Sequence, residues 1–113
     1  MRAIMEETHG APEVLRVSEQ PIPEPAPGQV LIRVRAAGVN RADALQRRGY
    51  YPPPPGVSSI YGLEAAGTVV AVGAGVSPQM VGSPVAALLA GGGYAEYVAV
   101  DARHTFGVPE GMS

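Results

Sequence analysis

Glycine and proline interrupt this chain so often that hardly any uninterrupted stretch reaches the ~11 residues of an average helix. There are 15 glycines and 12 prolines among 113 residues. Proline has no N–H to give to a helix or a central strand, and glycine clusters mark turns. Composition alone would hint at low complexity, yet 46% of the residues are hydrophobic, which is ordinary for a packed domain. The two facts agree if the chain is a set of short strands joined by Gly/Pro turns. At 11.6 kDa a single domain can bury about 65% of its unfolded surface, enough for one modest core.

The hydrophobic pattern fills in that outline. Residues 1–5 read as a short strand, and Val14 to Glu19 alternates as its antiparallel partner. Pro21, Pro23, Pro25 and Pro27 then make an extended surface connection. From Gly28 onward Val30, Ile32, Val34 and Ala36 alternate with Gln29, Leu31, Arg33 and Arg35, the clearest strand of the chain. Asn40-Arg41-Ala42-Asp43 fits a helix N-cap with an acid at N3, and Ala42 to Arg48 can make two turns before Gly49. Tyr50 to Gly56 is a loop with polyproline character. Leu63 to Val72 is a second long strand broken by Gly67, Pro84 to Leu89 a third, Tyr94 to Val100 a fourth, with a short return through Thr105. Strands at this spacing with one short helix predict a mainly β, partly open barrel.

Residue types exclude several chemistries. The chain has no cysteine, so disulfide scaffolds, thiolate zinc sites and cysteine nucleophiles are absent. All basic side chains are arginines, which removes Schiff-base chemistry and Walker-type phosphate binding. A net charge of −2 offers no basic surplus for nucleic acid. No apolar run has the ~18 residues of a membrane helix or the profile of a signal peptide, so the expectation is a cytoplasmic domain without membrane or nucleic-acid partners.

Four places could carry function. Asn40, where strand becomes helix, could face a ligand or simply cap the helix. Tyr50 and Tyr51 could donate hydrogen bonds from their loop or merely cover apolar surface. Glu64 stands in a mostly apolar stretch, where a carboxylate is either paired structurally or close to a site. Gly91-Gly92-Gly93 is an entropically costly run, which points to a close backbone approach or a wide hairpin bend. Gly73-Ala74-Gly75 is no dinucleotide fingerprint: Pro78 stands where the third glycine belongs, and Pro84 leaves no room for the helix that must follow. His9 and His104 lack a second ligand at metal spacing.

Taken jointly, several motifs resemble one family. They are Gly10-Ala11-Pro12-Glu13-Val14-Leu15, Asn40-Arg41-Ala42-Asp43, Gln46 through Pro54, Gly62-Leu63-Glu64-Ala65-Ala66-Gly67 and Ala87 through Gly93. The chain is similar to the N-terminal part of zinc-independent NADPH:quinone oxidoreductases of the medium-chain dehydrogenase/reductase superfamily, and to their p53-inducible subgroup. The resemblance implies a GroES-like partly open barrel spanning residues 1–113, with one or two short helices and truncated relative to the family. It implies a Rossmann domain outside this chain, NADPH in the cleft between the two domains, and reduction of a quinone or enone by hydride transfer. It places Asn40 and Tyr51 as catalytic residues, and Asn40, Gly91, Gly92 and Gly93 at the cofactor. Zinc-dependent relatives have Cys at the position of Asn40 and His at that of Leu63, and neither residue here is a useful zinc ligand. Ser83 and Tyr61 depart from the family's usual Asp and Pro.

Because no dinucleotide fingerprint occurs before Ser113, the expectation is a fragment or one half of a split enzyme, inactive alone and completed by a Rossmann half or parent chain. The alternative from a different class is a non-catalytic GroES-like assembly module, a homo-oligomer joined through open strand edges. A third reading makes Pro52 to Pro55 a ligand for a polyproline-binding domain.

Overall fold

A computed structural model describes residues 1–6, 15–38, 60, 62–89 and 91–108. Within them seven strands run in chain order: β1 (Arg2–Glu6), β2 (Leu15–Glu19), β3 (Gln29–Ala37), β4 (Glu64–Val72), β5 (Pro84–Leu88), β6 (Tyr97–Asp101) and β7 (Thr105–Gly107). The helices among the described residues are two single 3₁₀ turns, Pro78–Met80 and Ala102–His104. The helix expected over Ala42 to Arg48 lies outside the described residues.

All pairings are antiparallel. β1 and β2 form the expected two-stranded ribbon, and the other five strands form one sheet in the order β6-β3-β4-β5-β7. The ribbon joins the sheet through the bridge between Ala3 and Ala95, with Ile4 N–H donating to the Tyr94 carbonyl at 2.8 Å. The described sheets do not close into a barrel, in keeping with the partly open, mainly β architecture read from the sequence.

The core lies on one face of the five-stranded sheet. Ile32 faces Val69 on one side and Val98 on the other, and Val30 faces Val72 and Val100. Val85 and Ala87 of β5 complete the buried cluster. β-branched side chains suit this pleated, close-packed surface. Burying each of Val30, Ile32 and Val69 completely contributes about 1.5–3 kcal/mol.

Three details depart from the sequence reading. The core alternation of β3 holds for Val30 and Ile32, but Ala36 is exposed and Leu31, on the other face between Ala71 and Ala99, is buried. β3 and β4 slip twice, first between Leu31 and Ile32, where β4 shifts and β3 keeps its alternation, then between Val34 and Ala36, where the face of β3 changes. Val70 is the extra residue of the first slip and Arg35 of the second, and each bulge swaps the residues that face the core. Gly67 does not break β4, which runs unbroken from Glu64 to Val72. A Cβ at Gly67 would collide with the Arg33 carbonyl, so the glycine permits a close strand contact. Finally β6 begins at Tyr97, three residues later than expected, because the Tyr94 carbonyl, Ala95 and the Glu96 N–H pair with the ribbon, while the Glu96 carbonyl accepts from Val34 N–H of β3.

Gly67→Ala is expected to destabilise the chain by about 2 kcal/mol or more through forced strand separation, whereas Gly107→Ala, with open space around the added carbon, should change it by less than about 0.5 kcal/mol. Urea unfolding of the two variants, followed by far-UV circular dichroism, reads the difference.

Candidate functional site

The glycine loop after β5 is held by backbone alone. Gly92 N–H donates to the Ile60 carbonyl at 2.8 Å and Gly93 N–H to the Gly62 carbonyl at 3.0 Å. Leu89 N–H donates to the Leu63 carbonyl at 2.8 Å, so three hydrogen bonds tie residues 89–93 to residues 60–63. At the crossing Gly62 has no room for a side chain, and Gly93 has little. A Cβ on Gly62 would sit 2.6 Å from the Tyr94 nitrogen and 2.7 Å from the Gly93 Cα. Gly62 also has φ +111°, a backbone conformation that L side chains rarely adopt. Gly92, at φ +98°, and Gly93 are both buried. The close approach expected for the triple glycine is therefore made by the chain's own Ile60–Leu63 strip.

Beside this crossing opens a cleft of about 530 Å³ whose lining includes Ile60, Leu88, Leu89, Gly91, Gly92 and Tyr97. His104 stands at the same cleft, exposed on the second 3₁₀ turn. The Glu64 carboxylate, at the start of β4, packs over Gly38 where a Cβ would otherwise stand. Gly38 follows the end of β3, so Glu64 links the end of β3 to the start of β4. Among the residues expected at the site, Gly91, Gly92 and Gly93 come together here, with Leu63 half-buried next to them. Asn40, Tyr50, Tyr51, Tyr61 and His9 lie outside the described residues. Among the described residues no three acidic or imidazole side chains gather as metal ligands.

Gly62 went unread as a structural element in the residue patterns, because a single glycine before a strand looks like any turn. Two charged contacts were likewise invisible. Asp101, at the end of β6, accepts from Arg103 N–H at 2.8 Å and from its guanidinium at 2.7 Å. The Arg103 hydrogen bonds hold the Asp101 carboxyl far below the usual carboxylate range. Glu96 accepts from the Arg2 backbone N–H at 2.6 Å, which lowers its pKa, with the Arg2 guanidinium adding to the effect. This second contact stands where the ribbon meets the sheet, beside the Glu96 N–H bond to the Arg2 carbonyl.

The family model of the alcohol dehydrogenase GroES-like domain matches residues 26–110. The chain belongs to this family. The GroES-like domain is 46% identical over 91 residues to the synaptic vesicle membrane protein VAT-1 homolog of Rattus norvegicus, covering 80% of this chain and 22% of that protein. It is 44% identical over 107 residues to a quinone oxidoreductase of Lama guanicoe, covering 93% of this chain and 32% of the relative. The crystal structure of Escherichia coli quinone oxidoreductase complexed with NADPH superimposes with a TM-score of 0.91 at 34% identity, covering 100% of this chain and 35% of that one. The GroES-like domain thus spans between about a fifth and about a third of the length of these relatives. The resemblance to quinone oxidoreductases drawn from the sequence motifs is confirmed at the level of family and fold. No helix among the described residues is long and apolar enough to cross a membrane.

The Glu96 contact makes a pH prediction. Its folded pKa is depressed, so the stabilisation is complete above the ordinary Glu value of 4.5 and is lost as the pH falls through the lower folded value. Thermal unfolding followed from about pH 6 down to about pH 3 should show the wild type losing stability in the acid limb and Glu96→Gln losing less over the same range.

Proposed function

We propose that this chain is the substrate-side domain of an NADPH-dependent quinone or enone reductase. The observation that carries the reading is the apolar cleft beside Gly91 and Gly92 in a domain whose relatives include quinone oxidoreductases, one of them complexed with NADPH. A flat, electron-poor ring or alkene suits a cleft lined by Ile60, Leu88 and Leu89.

The fit to a dinucleotide is one-sided. The two helices among the described residues are three-residue turns, and the amides of Gly92 and Gly93 are already used within the chain. Neither feature offers the fresh N–H groups that hold a pyrophosphate at a full helix N-terminus. In this reading a second domain holds the phosphates, and this chain would meet the nicotinamide end. NADPH, when bound, supplies the hydride. Asn40 would orient the carboxamide or the substrate oxygen through its amide, and the Tyr51 hydroxyl would donate a hydrogen bond to the carbonyl that gains charge. The motif positions of zinc ligands are taken by Asn40 and Leu63. Hydride addition to an already polarised quinone or enone asks less of a Lewis acid than alcohol oxidation does. A cytoplasmic location goes with this reading.

The chain alone should not oxidise NADPH in the presence of duroquinone. Mixed with a Rossmann domain that carries the remaining strands of the family's catalytic domain, it should. In that mixture Asn40→Ala and Tyr51→Phe are each expected to lower kcat/KM by about tenfold to a hundredfold. Turnover by the chain alone, or full activity in both variants, would overturn the assignment.

A further inference from the structure

Two arginines of β3 stand without a partner, although the chain carries ten acidic residues against eight basic ones. Arg2 pairs with Glu96 and Arg103 with Asp101, but among the described residues neither Arg33 nor Arg35 makes a side-chain hydrogen bond or ion pair. Both line one hollow of about 500 Å³, together with Val34, Thr68 and Val70. No carboxylate is among these described lining residues. Glu96, which shares a neighbouring cleft with Arg35, already accepts from Arg2. Thr68 stands directly across the ladder from Arg33, and its hydroxyl has no hydrogen bond among the described residues either. Two like charges kept side by side repel, so an unpaired arginine pair is at its most stable with an anion between them.

The bulges of the sheet meet at the same place. Val70 and Arg35, the extra residues of the two slips between β3 and β4, both line the hollow. A bulge re-aims a side chain, and bulges are common next to binding sites. The chemistry of the donors selects the anion. A carboxylate has two oxygens and one charge, which a single guanidinium fork satisfies. A phosphate monoester has three free oxygens and about −1.5 to −2 charges at neutral pH, enough for two forks and a hydroxyl. The volume falls in the range of small-ligand sites, about 300–1,000 Å³, so the organic group is admitted as well.

We propose that this hollow binds a soluble phosphate monoester: Arg33 and Arg35 donate to the phosphate oxygens, Thr68 adds its hydroxyl, and Val34 and Val70 contact the organic group. The hollow shares no lining residue with the cleft beside Gly91, so the proposal does not rest on the reductase reading.

The test is a titration of the chain with phenyl phosphate, followed by NMR through the backbone amides of Arg33, Arg35 and Thr68. These amides should shift and saturate. Arg33→Gln and Arg35→Gln should each raise the dissociation constant about tenfold or more. Arg103→Gln removes the same charge away from the hollow and should change it by less than about twofold. Benzenesulfonate, of similar shape with a single charge, should bind about tenfold more weakly than phenyl phosphate. The proposal is overturned if phenyl phosphate leaves the three amides unmoved, or if either hollow variant binds it like the wild type. An equal loss in Arg103→Gln overturns it too, because overall charge alone would then govern binding. Equal affinity for benzenesulfonate removes the dianion selectivity and with it the assignment. Capture of the chain by phosphatidylcholine vesicles carrying phosphatidic acid, without any response to phenyl phosphate, also overturns it, since the ligand would then be a membrane surface.

Discussion

Every other part of the domain hangs from the hydrogen-bonded ladder around β3. This strand is bonded along both edges, to β4 on one side and β6 on the other. Its Val30 and Ile32 sit at the centre of the only buried cluster of more than a few residues among those described. Among the described residues no long helix stands over this face. The bulges at Val70 and Arg35 bend the two strands, because an extra residue on one strand bends it and increases its twist. The sheet remains open among the described residues, and Leu88 and Phe106 near its β5–β7 edge stay largely exposed.

The glycines follow from the same constraint. A thin, curled sheet can bring its connections close only where backbones touch without side chains between them. Gly67 lets the Arg33 carbonyl approach β4, Gly73 lets the Ala26 carbonyl approach the end of β4, and Gly62 meets Gly93 at the cleft. Each contact costs the flexibility of a glycine in the unfolded chain. Each in return places a connection more closely than a side-chain contact could. At the Gly62–Gly93 crossing this close contact lies beside the cleft.

Electrostatics play a secondary part. The pairs of Arg2 with Glu96 and of Arg103 with Asp101 have exposed arginines, and such pairs contribute little by themselves. Their significance is local. Glu96 ties the ribbon to the sheet through the Arg2 backbone, and Asp101 caps the last 3₁₀ turn through Arg103. Both carboxylates use hydrogen bonds to backbone N–H groups as well as to guanidinium, so they fix chain direction as much as charge.

Much of the strand order was open to reading from residue patterns, since period-two alternation and Gly/Pro punctuation are local properties. The ribbon of β1 and β2, the long β3 and β4, and β5 all stood out in this way. The alternation in β3 also placed Val30 and Ile32 in the core, because a pleat puts every second side chain on one face. The motifs around Asn40, Tyr51, Glu64 and Gly91 pointed to the family before any coordinates. What the sequence could not specify was pairing. Nothing local in Leu31, Val34 or Val70 says that β3 and β4 slip by one residue twice, since a bulge is a property of two strands in register. Nor does Gly62 announce its partner. Residues 62 and 93 lie far apart in the chain, and only the folded sheet brings their backbones within van der Waals reach. The triple glycine was visible as a place where something must come close; the tertiary structure decided that the chain's own backbone is what comes there.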